Sequence, residues 1–134
     1  MKINFTKEEN SFRQEVRSWL EENVPRKPLL SLDTQEGFEQ HREWERTLNK
    51  GNWSMVTWPQ EYGGRGLDLI KWLIFEEEYY RAEAPTRVNQ NGVFLLGPTL
   101  MEFGTHEQKS KFLNAMATGD HIWAQGWSEP GAGS

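Results

Sequence analysis

The sequence predicts an all-α domain, an orthogonal bundle of five or six helices, with the first strand of a β-domain at its C-terminal end. Three observations predict it. Apolar stripes at helical spacing recur along the chain. Capping boxes open two of the helices. Strand-like alternation is absent before His121. Residues 1–120 read as the helical domain and residues 121–134 as the strand and a following loop.

Thr6-x-x-Glu9 is a capping box, and Phe12, Val16, Trp19 and Leu20 form the stripe of the first helix. Pro25 stops it. Asp33 or Thr34 caps the second helix, whose stripe is Phe38, His41, Trp44 and Leu48, with Gly51 suited to the C′ position. His41 reads as a core or boundary histidine with one satisfied hydrogen bond. Gly51 to Asp68 is punctuated by Gly and Pro and reads as an ordered loop.

Asp68 caps a third helix running to about Ala84. Its apolar residues, among them Leu69, Trp72, Phe75, Tyr79 and Tyr80, cover much of its circumference, which suits a central helix. Glu76, Glu77 and Glu78 read as a solvated strip, with Glu77 able to pair with Arg81. Pro85 ends this helix. Residues 91–104 read as two short helices broken at Gly97-Pro98. Thr105-x-x-Gln108 is the second capping box, and its helix runs through Phe112, Leu113 and Met116 to Gly119.

From His121 to Trp127 the residues alternate as a strand does, with His121, Trp123, Gln125 and Trp127 on one face. No partner strand exists in the first 120 residues. The segment after Asp120 is therefore expected to be poorly anchored, or to pair with a second copy.

Composition narrows the function. The chain has 134 residues, enough for one domain with a moderate core. Seven Trp and seven Phe suggest a core built on large rings. The net charge is −5 and no basic stripe stands out, which argues against nucleic acid as a partner. There is no Cys, so thiolate metal sites and Cys nucleophiles are excluded. No apolar run has the length of a membrane span and no signal peptide is visible, so the chain reads as soluble and cytoplasmic. The histidines show no metal-ligand spacing, and neither Walker A nor G-x-G-x-x-G nor G-x-S-x-G occurs.

The tail, Trp127-Ser-Glu-Pro-Gly-Ala-Gly-Ser134, has a chemistry of its own. Pro130 sets a turn, and Gly131 and Gly133 let the backbone approach a ligand closely. Free backbone N–H groups in such a turn suit an anion or the polar edge of a heterocycle. A linker is the other reading that this composition allows.

"WAQGWSEPGAGS" resembles the flavin-binding signature of the acyl-CoA dehydrogenases, [ST]-E-P-x-x-G-S-D, whose last Asp would be residue 135. "WPQEYGGRGLD" resembles that family's loop before its third helix, and "GPTLMEFGTHEQKSKFL" its helix pair ahead of the signature. The resemblance covers nearly the whole chain from Phe5 onward, with residues 23–50 its least diagnostic part.

The resemblance implies an N-terminal helical domain, then a β-domain, then a C-terminal helical bundle. This chain corresponds to the first domain and the first strand of the second. It implies FAD as cofactor, an acyl-CoA as substrate, an electron-transfer flavoprotein as electron acceptor, and a homo-oligomer or hetero-oligomer. It implies that Gln125, Gly126, Trp127, Ser128, Gly133 and Ser134 line the flavin, with Ser128 standing where many relatives have Thr. Gly133 and Ser134 would lie by the pyrophosphate, and Ser134 would also touch the acyl-CoA. The acyl chain would run past Val93, Phe94, Gly97 and Met101, which read equally well as core. The family's catalytic Glu lies in its C-terminal domain and has no counterpart in these residues, so the chain alone is expected to be inactive. Glu76, Glu77, Glu78 and Glu129 are not substitutes for it. An acyl-CoA oxidase of the same scaffold and a stand-alone helical interaction module without cofactor are the alternatives. The aromatic loops resemble those of bacterial relatives that handle bulky or dicarboxylic acyl-CoAs.

Overall fold

A computed structural model describes residues 4–132. Five α-helices follow one another: α1 (Lys7–Asn23), α2 (Gln35–Lys50), α3 (Leu69–Arg81), α4 (Gly97–Phe103) and α5 (His106–Ala117). A 3₁₀ turn (Gln60–Tyr62) lies in the α2–α3 loop, and a π-helical turn (Gly92–Leu96) leads into α4. The all-α architecture is the one the stripes predict.

Side-chain caps set the helix starts. Thr6 and Glu9 form the reciprocal box of α1, and Thr105 and Gln108 that of α5. Thr34 caps α2 and Asp68 caps α3 through the amides of Gly37 and Lys71. The end of α2 differs from expectation. Gly51 keeps a right-handed conformation, and Asn52 takes the left-handed one at φ 61°. Gly51 is needed for close approach instead: a Cβ there would lie 2.5 Å from the Trp19 ring. The third helix stops at Arg81, short of Ala84, because Glu83 turns left-handed at φ 51°.

Two apolar cores result. In the first, Phe12, Val16 and Leu20 of α1 meet Trp44 and Leu48 of α2 and Ile74, Phe75 and Tyr79 of α3. In the second, Val93 meets Leu113, Met116 and Ala117 of α5. The α2–α3 loop feeds both: Trp53 and Val56 enter the first, Met55 and Trp58 the second. Its amides at Arg65, Gly66 and Leu67 return to the carbonyls of Met55, Trp58 and Val56, so the loop is closed on itself. The first core is ring-rich, with Trp53 stacked on Phe75 at 5.7 Å.

The acidic run on α3 is not a uniform solvated strip. Glu78 is 1% exposed and accepts hydrogen bonds from Arg13, Arg17 and Arg81. Ile74 and Phe75 lie one turn earlier on the same face, which carries Glu78 inward. Glu77 pairs with Arg13 at 2.7 Å rather than with Arg81. The hydrogen bonds from Arg17, then those from Arg13 and Arg81, outweigh burial and bring the Glu78 carboxyl down from 4.5 to about 2. The cluster joins α1 to α3.

Glu78→Gln leaves three arginines facing a neutral amide and is expected to cost about 3 kcal/mol, read by urea unfolding. Because the folded-state pKa is depressed, this stability is present in full above pH 4.5 and is lost as pH falls toward 2. The variant's acid limb of stability against pH should be flatter than the wild type's across that window.

Candidate functional site

Between residues 90 and 103 the backbone stays helical without a break. The expected interruption at Gly97-Pro98 is a π-helical turn instead. Gly97 donates its N–H to the Gly92 carbonyl, one residue further back than in an α-helix. Proline has no N–H and its ring clashes with the carbonyl four residues earlier, and a wider turn relieves that clash. The turn sets which residues of the run face which side.

One side forms a wall of a cavity of about 270 Å³, closed by the α2–α3 loop and α3. Val93, Phe94 and Met101 line it, with Met55, Trp58, Trp72 and Phe75 opposite and Glu76 and Arg87 adding charge. The structure thus brings three of the four expected acyl-chain residues to one cavity. Gly97, the fourth, is buried, and a Cβ there would lie 2.1 Å from the Trp58 ring. It lets the indole of Trp58 approach the helix closely, where Nε1 donates to the Val93 carbonyl at 3.3 Å.

The other side forms a more open groove of about 370 Å³, between Asn91, Leu95, Leu96 and Thr99 and the segment Trp123-Ala-Gln125. That segment is better anchored than its unpaired strand pattern suggests. No strand ladder forms among the described residues, for want of a neighbouring strand. A single side chain replaces it. Asn89, wholly buried, donates to the carbonyls of Met116 (3.0 Å) and His121 (3.1 Å) and accepts from the Trp123 amide (3.0 Å). Trp123 packs edge-on against Phe112 at 5.5 Å. Its buried Nε1 has no hydrogen-bond partner among the described residues.

Beyond Trp123 the anchoring ends. Gln125 lines the groove, while Gly126, Trp127 and Ser128 are exposed, Trp127 at 85%. The backbone N–H groups from Gln125 to Ser128 make no hydrogen bond to another described residue. The chain then turns on itself, with Glu129 and Ala132 bonded reciprocally at 3.0 and 3.1 Å and Gly131 at φ 88°. Pro130 followed by a left-handed Gly suits a type II turn. Gly133 and Ser134 lie outside the described residues. Amides unpaired among the described residues and the Ser128 hydroxyl form a donor set, and the Trp127 indole an exposed flat face, that fit the polar edge and ring of a flavin.

Charged and polar groups that were not singled out from the sequence hold both sites in place. Glu45 (2% exposed) receives Arg87 (9% exposed) at 2.8 to 3.0 Å, and Arg87 also donates to the Ser54 carbonyl. Burial lowers the Arg87 pKa, but the Glu45 charge more than offsets that and keeps it raised. A signal existed: Glu45 falls inside the stripe of α2, four residues after His41 and three before Leu48. His41 is buried, with Nδ1 2.8 Å from the Thr86 carbonyl and Nε2 3.2 Å from that of Leu30. It joins two loops, and both ring nitrogens face an oxygen where one was expected to. Among the described residues no group of His, Asp and Glu gathers as a metal site, and no helix is long and apolar enough to cross a membrane.

The family profile described as "Acyl-CoA dehydrogenase, N-terminal domain" matches residues 6–120. The chain belongs to the acyl-CoA dehydrogenase family. Acyl-CoA dehydrogenase IpdE1 of Mycobacterium tuberculosis is 43% identical over 129 residues, covering 92% of this chain and 34% of the relative. Among solved structures, the Tcur3481-Tcur3483 steroid ACAD aligns with a TM-score of 0.80 at 31% identity, over 99% of this chain and 34% of that one. The ChsE4-ChsE5 complex from Mycobacterium tuberculosis aligns at 0.74 and 35%, over 99% and 33%. The chain spans about a third of the length of the curated relatives it matches.

Asn89→Leu keeps the volume and removes all three side-chain hydrogen bonds. It is expected to cost about 2–3 kcal/mol and to abolish hydrogen-exchange protection at the Trp123 amide, while the Leu113 amide of α5 stays protected. Gly97→Ala drives a methyl into Trp58 and is expected to cost about 1–3 kcal/mol with a shift in tryptophan fluorescence.

Proposed function

We propose that this chain supplies one wall of the active site of a full-length FAD-dependent acyl-CoA dehydrogenase. The reaction is α,β-dehydrogenation of an acyl-CoA thioester, with electrons passing on to an electron-transfer flavoprotein. One observation carries the reading: a single helical run, residues 90–103, has an apolar cavity on one side and the Gln125 groove on the other. An acyl chain in the first and a flavin along the second would meet across this run.

Bound FAD would supply the acceptor for the hydride that leaves the acyl β-carbon. The chain's own residues bind and orient. Backbone N–H groups from Gln125 to Ser128 and the Ser128 hydroxyl would donate to the polar edge of the ring, where reduction places negative charge. Trp127 would cover ring surface. Gly133 and Ser134 would continue along the pyrophosphate, with Ser134 also touching the acyl-CoA. Val93, Phe94 and Met101 would bury the acyl chain, with Gly97 keeping Trp58 in position. The α-proton needs a base from elsewhere in the protein. Glu78 is bound to three arginines and Glu77 to one, so neither is available.

A steroid ACAD among the structural neighbours supports a bulky acyl group, and the paired chains named in both neighbours support a hetero-oligomer. A cytoplasmic location completes the reading.

The full-length enzyme is expected to bleach its visible flavin band when an acyl-CoA is added anaerobically, and the 134-residue chain alone to be colourless and inactive. Ser128→Ala in the full-length enzyme should lower kcat roughly tenfold and shift the flavin potential downward, because one donor to the reduced ring is lost. An unchanged spectrum, potential and kcat would remove Ser128 from the site. Release of peroxide with O2 as efficient acceptor would favour the oxidase reading.

A further inference from the structure

The cavity of about 270 Å³ is walled by rings and aliphatic groups, and Glu76 and Arg87 are the charged residues among its lining. The same two residues, with Phe75 and Phe94, also border a smaller cavity of about 80 Å³. They stand where the two spaces meet. Arg87 is already committed: Glu45 and the Ser54 carbonyl hold it. Glu76 is held less fully. Its carboxyl is half-buried, and burial pushes its pKa up, with the Arg87 charge and a hydrogen bond from the Trp72 indole pulling the other way. Among the described residues no arginine or lysine pairs with Glu76, whereas Glu78, two residues on, takes three. The Trp72 indole supplies one donor, and a carboxylate facing an aromatic cavity has lone pairs to accept a further one.

We propose that Glu76 is a specificity-determining residue that makes this cavity select an acyl group carrying a hydroxyl at the end remote from its thioester. The inference rests on the acyl-CoA dehydrogenase reading above. The placement fits a remote end: Glu76 stands on α3, and α3 contributes nothing to the groove at Gln125. The sign of the charge selects the group. Glu45 cancels Arg87, so Glu76 leaves the junction of the cavities net negative. A second carboxylate on the substrate would be repelled there, and a plain alkyl end would strip water from Glu76 without replacing its hydrogen bond. A hydroxyl donates to the carboxylate and carries no charge. This reading goes against a dicarboxylic substrate.

The test uses the full-length flavoprotein and acyl-CoAs of one carbon skeleton that end in methyl, hydroxymethyl or carboxylate, at the chain length that turns over best. The hydroxylated compound is expected to have the highest kcat/KM, by about tenfold over the methyl compound, and mainly through KM. The carboxylate should be the poorest. Glu76→Leu should reverse the order of hydroxyl and methyl, and Glu76→Gln, which still accepts, should restore most of the hydroxyl preference. Equal kcat/KM for hydroxyl and methyl in the wild type overturns the inference, as does preference for the carboxylate, and neither result depends on a variant folding. A hydroxyl preference that survives Glu76→Leu overturns the role of Glu76. Turnover of none of the three, with flavin bound, overturns the acyl-CoA reading and this inference with it.

Discussion

The ion pair between Glu45 and Arg87 is the constraint on which the rest of the structure depends. Glu45 comes from the buried face of α2, and Arg87 from the segment between α3 and the π-helical turn. Their hydrogen bonds extend outward in both directions. Arg87 reaches the Ser54 carbonyl and so fixes the α2–α3 loop, and Glu45 accepts the Asn89 amide at 3.3 Å. Asn89 then holds α5 and the start of the C-terminal segment. Arg42, one turn before Glu45 on α2, closes the same circuit by donating to the carbonyls of Gly119 and Asp120. A buried pair of this kind adds little to net stability compared with apolar residues of the same size. Its value here is in register. It determines where residues 87–93 enter the second core, and so where both cavity walls stand.

Polar groups also tie the first core to the segment that follows α3. The Trp44 indole donates to the Tyr79 hydroxyl, which donates to the Pro85 carbonyl at 2.6 Å. Burial raises the Tyr79 pKa, so the hydroxyl keeps its proton and can act in both directions at once. The segment from Ala82 to Arg87 is therefore held at Tyr79, at His41 and at Glu45, although it has no regular structure of its own. Loops that carry function are commonly positioned by a rigid scaffold in this manner.

The fold was legible where periodicity and capping speak directly. The boxes at Thr6 and Thr105 and the stripes of α1, α2 and α5 mark their helices correctly, because local chemistry decides them. The errors fall where a long-range partner decides. Glu78 looks like solvent-facing charge until Arg13 and Arg17 arrive from α1, far away in sequence. The alternation from His121 to Trp127 looks like a strand, yet a strand exists only as part of a ladder, and Asn89 supplies side-chain bonds in its place. Gly97-Pro98 looks like a break, because helix-breaking propensity does not reveal that a wider turn can absorb the proline. The candidate site was half legible. Val93, Phe94 and Met101 do meet at one cavity. Glu76 and Arg87, which give that cavity its charge, carry no local signature.

The π-helical turn links the two halves of the site mechanically. Cores are close-packed, and a change at one face of a helix is felt at the other through its backbone. Here Val93 and Phe94 line the cavity while Leu95 and Leu96, the next residues, line the groove. Trp58 presses on Gly97 from the cavity side, and Trp123 and Gln125 border the groove on the opposite side. A side chain that fills the cavity and displaces Trp58 therefore acts on the same turn whose outer face borders the segment leading to Ser128. In the arrangement proposed above, one helix thickness would separate acyl group from flavin, and Gly97 lets Trp58 pack close against that helix. Such a wall would be positioned by backbone rather than by flexible side chains, and fixed positioning is what turns proximity into rate.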